Sequence, residues 1–175
     1  DLMLTKTNHV KNKVWCEVPS FTFLIDHPDG RILFDAAIHR HWEDQWLPEY
    51  KALAPYDDYT EEQLLENTLK RNKLGPEDID YVFLSHLHVD HAGNAKLWNT
   101  CPSTKILVHQ DESAAAANMP KDEHFFLRCD YDVPGLRFTT LGGDTEILKD
   151  VHAISAPGHT AGTMALMVHL EHAGT

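Results

Sequence analysis

A layered α/β fold is what this chain of 175 residues predicts, on three observations. Apolar runs of strand length alternate with segments of helical pattern along most of its length. One of those runs, "YVFLS" (Tyr81 to Ser85), is apolar almost without interruption, as in a strand buried on both faces. Two further strand candidates close the chain around the Gly-flanked turn "PGHTAG". No internal repeat or low-complexity tract competes with that reading.

The elements follow in order. "FTFLID", "HPDG" and "RILFD" (Phe21 to Asp35) read as strand, turn and strand, because Pro28, Asp29 and Gly30 supply turn chemistry between two apolar runs. The Trp-, Tyr- and Pro-rich stretch His39 to Tyr59 has no clean period and is expected to be a long surface excursion, partly helical. Thr60 opens a helix with a capping-box pattern to Gln63, and Leu64, Leu65 and Leu69 form its apolar stripe. Gly75-Pro76 is its stop signal. "KILVHQ" (Lys105 to Gln110) is another strand, and "DESAAAANM" (Asp111 to Met119) a helix with Asp111 near its start. "VHAISA" (Val151 to Ala156) and "TMALMVHL" (Thr163 to Leu170) complete the strands.

The length suits one domain over residues 1–175. Hydrophobic residues at 42% and charged residues at 24% describe a globular chain rather than a disordered one. The formal net charge of −12 repels phosphate backbones and anionic lipid, so neither nucleic acid nor a membrane is expected as a partner. No apolar run approaches the roughly 20 residues that cross a bilayer. Cys16, Cys101 and Cys129 are scattered, with no C-x-x-C pair, and read as reduced thiols of a cytoplasmic protein.

Chemistry concentrates in "HLHVDH". His86, His88, Asp90 and His91 place three imidazoles and a carboxylate within six positions, directly after the apolar run. With histidine at 13 of 175 residues, H-x-H-x-D-H arises by chance in roughly one such chain in a hundred or fewer. In an extended segment His86 and His88 point to the same side, whereas a helix places them roughly 200 degrees apart. Asp90 and His91 follow where the chain must turn, and diverging side chains there suit a second ion beside the first. Gly93 leaves room for close backbone approach at that corner. "APGHTAGT" (Ala156 to Thr163) offers His159, the third imidazole of a catalytic site with an open position. Imidazole and carboxylate suit zinc, iron or manganese, with cobalt as a further candidate.

"HLHVDHAGN" followed by "APGHTAGT" resembles the metallo-β-lactamase superfamily, and "GRILFDAA" is similar to its early strand ending in Asp. Within it, "VWCEVPSFTFLIDHPDGRILFD" and "NTLKRNKLGPEDIDYVFLSHLHVDHAGN" look most like the N-acyl homoserine lactonases. The resemblance implies a four-layer αβ/βα sandwich with two metals in a cleft at the strand edges. His86, His88 and His159 would hold one metal, and Asp90 and His91 the other. Asp35 would orient a ligand, the other reading of that carboxylate being a cap on a turn.

It also implies a metal-dependent hydrolase that opens a lactone ring by attack of a metal-bound hydroxide. Zinc is the expected metal, two ions per complete site, and Asp90 the expected proton relay to the leaving alkoxide. The substrate would be a small lactone or ester, the effect quenching of a quorum signal, and a homodimer is compatible. Trp42 and Trp46 would line an acyl groove or anchor their loop. The alternatives are a glyoxalase II-like thioester hydrolase on the same scaffold, or a non-catalytic metal-binding fragment. The family's bridging Asp, final His and catalytic Tyr find no match up to "HLEHAGT", and His169 and His172 do not fit the pattern. The chain is therefore expected to cover little more than the first half of the fold, as part of a longer polypeptide.

Overall fold

The computed structural model describes residues 2–4, 14–16, 19–54, 56 and 59–172. A short antiparallel ladder joins β1 (Leu2–Leu4) to β2 (Val14–Cys16). The main sheet has five strands in chain order: β3 (Phe23–His27), β4 (Gly30–Phe34), β5 (Tyr81–Phe83), β6 (Lys105–His109) and β7 (Phe138–Leu141). β3 and β4 form the expected hairpin, paired from Phe23↔Phe34 to His27↔Gly30. The pairs β4–β5, β5–β6 and β6–β7 are parallel. A second sheet of β8 (Thr145–Leu148), β9 (Val151–Ser155) and β10 (Met164–Val168) is antiparallel.

The apolar character of β4, β5 and β6 on both faces has a structural reason. Successive side chains in a strand point to opposite faces. Leu33, Val82, Leu84, Ile106 and Val108 pack into a core shared with helical residues Leu65, Leu69, Trp98 and Ala116. The alternate residues Ile32, Phe83 and Leu107 pack against Val151, Ala153 and Met164 of the second sheet. Helices, five-stranded sheet and three-stranded sheet thus stack in that order, three of the four expected layers. Among the described residues, those following β10 add no fourth.

Among the described residues six short α-helices connect the strands: α1 (Trp42–Gln45), α2 (Pro48–Leu53), α3 (Leu65–Arg71), α4 (Val89–Ala92), α5 (Gln110–Asn118) and α6 (Arg128–Tyr131). Two expectations need correction. α3 starts four residues later than the capping pattern suggests, because the Gln63 side chain accepts from both the amide and the hydroxyl of Thr60 and closes a separate turn. It also stops before Gly75: Lys73 adopts φ 59°, and Leu74 N–H returns to Leu69 O in a Schellman motif with Lys73 in the place usual for glycine.

The stretch after His39 is not a surface excursion either. Trp42, Trp46 and Tyr50 are buried and form a third core with Ile38, Val89 and Leu127. Both tryptophans therefore anchor their segment, and Trp46 at 3% exposure cannot line an open groove. β7, β8 and α6 lacked a sequence signal strong enough to anticipate them. Cys101 and Cys129 are free thiols, and the Cys16 thiol lies outside the described side chains.

A buried carboxylate in α6 gives the fold a pH signature. Asp130 is 1% exposed, one of its oxygens has no hydrogen-bond partner, and Lys96 Nζ is 3.7 Å from the other. Burial raises its pKa to about 7, against a smaller lowering by Lys96. Between about pH 4 and 7 the folded state then keeps a proton that the unfolded chain has released, so stability falls as pH rises through that window. At about 1.4 kcal/mol per pH unit the window carries at most roughly 4 kcal/mol. Urea unfolding at pH 5 and pH 8 should show the wild type losing more stability on alkalinisation than Asp130→Asn, and equal losses would contradict the assignment.

Candidate metal centre

The candidate centre forms where strands end. β4 delivers Asp35, β5 runs through Leu84 into Ser85 and His86, and β9 leads through Ala156 to the turn carrying His159. Crevices beyond the C-terminal ends of parallel strands are where open α/β sheets bind ligands. His86 and His88 lie on the extended segment between β5 and α4, and α4 turns Asp90 and His91 back toward it. The turn packs closely. A Cβ on Gly93 would sit 2.6 Å from His39 N and 2.7 Å from Ala37 O, so only glycine allows α4 to rest on the loop after Asp35. Asn94, 1% exposed, reinforces that loop by donating to Ala36 O and Ile38 O, each at 2.8 Å.

His86, His88 and His159 converge. Their ring centroids are 4.6, 4.7 and 4.9 Å apart, and one nitrogen from each lies within 4.8 Å of the others. This is the one group of three ligand-type side chains that gathers in this way among the described residues. Asp90 and His91 lie alongside rather than within it: the His91 ring is 4.1 Å from that of His86, and His91 Nε2 is 3.4 Å from Asp90 Oδ2. His172 lies near the chain end, paired with Glu171 at 3.9 Å, and His169 is 6.2 Å from His152.

A hydrogen-bond chain sets the tautomers. Asp35 is 2% exposed, and its Oδ1 accepts Ser85 N–H at 2.7 Å. Its Oδ2 accepts Ser85 Oγ–H at 2.9 Å and His91 Nδ1–H at 2.7 Å. The serine proton is then committed, so at the 2.9 Å contact between Ser85 Oγ and His86 Nδ1 the imidazole must donate. His86 consequently presents a bare Nε2 toward the triad, and that buried atom has no partner. An orphaned imidazole nitrogen beside two more imidazoles fits a dication, and zinc, cobalt or iron accept such a donor set. Asp35 adopts φ 64°, a strained conformation that Asp tolerates better than most residues.

Charge follows the same pattern. Burial, with neighbouring His91 and His88, pushes the His86 pKa down to about 2; burial brings His88 to about 4. Both imidazoles are therefore neutral at physiological pH. Burial opposes charge on His91, but its hydrogen bonds to Asp35 and Asp90 prevail and raise it to about 10. Burial also opposes charge on Asp90, yet His91 holds its pKa at about 2. Ser85 was not singled out from sequence, although its position directly before His86 was the available signal.

Replacing Asp35 by Asn keeps a residue suited to the left-handed backbone and removes the negative charge facing His91. In the metal-free chain, imidazole titration by NMR should place His91 nearer the ordinary 6.5 in Asp35→Asn than in the wild type. An unmoved His91 titration would show that Asp35 is not its partner.

The match to the model of the metallo-beta-lactamase superfamily covers residues 17–174. The chain is 30% identical to an N-acyl homoserine lactonase of Bacillus cereus over 98% of its own length and 64% of that protein. It is 31% identical to one from a Bacillus species over 90% and 61%. Among solved structures, it superposes on a variant of the AiiA lactonase of Bacillus thuringiensis, which holds N-decanoyl-L-homoserine at its active site, with TM-score 0.73 and 27% identity over 89% of this chain and 60% of that one. An N-acyl homoserine lactone hydrolase with N-hexanoyl-L-homoserine bound at its catalytic metal centre gives TM-score 0.72 at 27% identity, covering 89% and 60%. The chain thus spans less than two thirds of the length of these relatives. With that match and with its strand-edge histidines, the chain belongs to the metallo-beta-lactamase superfamily.

Proposed function

We propose that this chain belongs to a metal-dependent lactonase that hydrolyses N-acyl homoserine lactones and so quenches quorum signals. The observation that carries the reading is the bare, buried His86 Nε2 beside His88 and His159. The lactonase relatives supply the substrate class. His86, His88 and His159 would hold one dication, and Asp90 and His91 would serve a second that displaces the Nε2 proton of His91; zinc is the metal we favour, from the imidazole and carboxylate donors. A dication held there would supply acidified water near neutral pH and a Lewis acid for the lactone carbonyl.

The chain's own groups do the rest. Ser85 and Asp35 keep the Nδ1 protons of His86 and His91 in place, so that the Nε2 atoms face the cleft. Asp90 is the carboxylate placed to take up a proton at Oδ2 and return it to the ring oxygen as the ester bond breaks. Phe125, stacked on Tyr50 with centroids 4.5 Å apart and 6.0 Å from the His88 ring, offers an apolar wall for an acyl chain. We also favour a cytoplasmic site of action, given the scattered thiols and the absence of any described helix long and apolar enough to cross a membrane.

Acid release followed in a pH-stat tests the proposal, with short- and long-chain N-acyl homoserine lactones and a thioester as comparison. Zinc- or cobalt-loaded protein should open the lactones, and a chelator should abolish the release. Hydrolysis of the thioester alone would move the reading to a glyoxalase II-like activity. A folded, metal-loaded chain with no activity on either would leave a metal-binding fragment.

A further inference from the structure

Glu112 lies in the first turn of α5, outside the metal motifs, and is 0% exposed. Burying a carboxylate carries a large desolvation cost unless its oxygens are hydrogen-bonded, and a packing role would be filled better by an apolar side chain. Its partners explain its place. Oε1 accepts the amide of Leu87 at 2.9 Å, the residue between His86 and His88. Oε2 accepts Thr160 Oγ1–H at 2.6 Å and the amide of Gly162 at 3.0 Å, on the turn that presents His159. One carboxylate thus joins the two motifs through Leu87 and Thr160, more than seventy positions apart in sequence.

The turn is shaped for this contact. Thr160 N–H donates to Thr163 Oγ1 at 2.9 Å, and the two hydroxyls are 2.7 Å apart. Because Thr160 gives its proton to Glu112, Thr163 must donate to Thr160, so the hydroxyl chain runs one way into the carboxylate. Gly162 rests so tightly against the Glu112 backbone that a Cβ there would overlap Glu112 N. His159 itself is exposed, and its ring meets only those of His86 and His88 among the described ring contacts. Its position therefore depends on the backbone that carries it. A main-chain bond from Met164 N–H to Ser85 O at 2.9 Å fixes the far end of the turn, and Glu112 fixes the end next to His159.

We propose that Glu112 is a positioning residue: its two oxygens set the separation between the His86–His88 segment and the His159 turn, and with it the spacing of the three imidazoles. The metal consequence rests on the histidine-triad reading above; the tie between the two loops does not. The closest substitution is Glu112→Gln, which keeps shape but turns an NH2 group toward donors on one side or the other. Thr160→Val removes one donor and leaves both backbone amides paired.

Two measurements on the full chain separate the possibilities. In the metal-free protein, amide hydrogen exchange at Leu87 and Gly162 should quicken in Glu112→Gln, with a smaller change at Gly162 in Thr160→Val. In a cobalt titration followed by visible absorption, Glu112→Gln should bind about 10- to 100-fold more weakly than wild type, with Thr160→Val between them. Should Glu112→Gln not fold, Thr160→Val decides by the same two readouts. Wild-type exchange at both amides together with wild-type cobalt affinity would overturn the proposal, even if thermal stability fell. Failure of the wild type to bind cobalt would count against the triad reading, and the exchange data would still decide whether Glu112 ties the loops.

Discussion

The buried carboxylate of Asp35 is the interaction on which the arrangement of the centre depends. It accepts three hydrogen bonds, two from Ser85 and one from His91. Through Ser85 Oγ it also determines that His86 donates from Nδ1 and leaves Nε2 bare. A left-handed backbone at Asp35 is held in place by Asp35 N–H to Phe83 O at 2.8 Å and Ala36 N–H to His91 O at 2.6 Å. Local strain of this kind persists where surrounding contacts over-determine it, and here those contacts include the candidate ligands.

The sheet makes such a convergence possible. Parallel strands β4, β5 and β6 end at the same edge, so Asp35, the His86–His88 segment and the α5 turn bearing Glu112 arrive together. The second sheet, packed through Val151, Ala153 and Met164, brings the His159 turn to that edge from the other side. The layers are apolar and unspecific in chemistry. What they provide is a fixed frame in which a few polar groups are held without solvent, where hydrogen bonds and charge interactions gain strength.

Apolar runs made β4, β5, β6, β9 and β10 legible in the sequence; in β5 and β6 burial on both faces leaves an almost uninterrupted apolar composition, whereas in β9 the buried residues alternate. The spacing of His86 and His88 also revealed which side they share. The fate of Trp42 and Trp46 was not legible: a stretch without period hides whether its aromatics face water or a satellite core, and only tertiary packing against Val89 and Leu127 settles it. The limits of α3 were missed because a capping pattern at Thr60 is equally served by an isolated turn. Glu112 left no trace either. A glutamate at a helix start ordinarily reads as a solvated residue favoured by the helix dipole, and its partners at Leu87 and Thr160 become neighbours only through the fold.

The central claim is that His86, His88 and His159 together bind one metal ion. X-ray absorption at the zinc edge, on the chain loaded with a single equivalent, reads the ligand set directly. The account predicts three imidazole nitrogens at about 2.0–2.1 Å with the remaining coordination from light atoms, and loss of one imidazole from the spectrum in His159→Ala. A spectrum with fewer than three imidazoles in the wild type, or one that His159→Ala leaves unchanged, would contradict it.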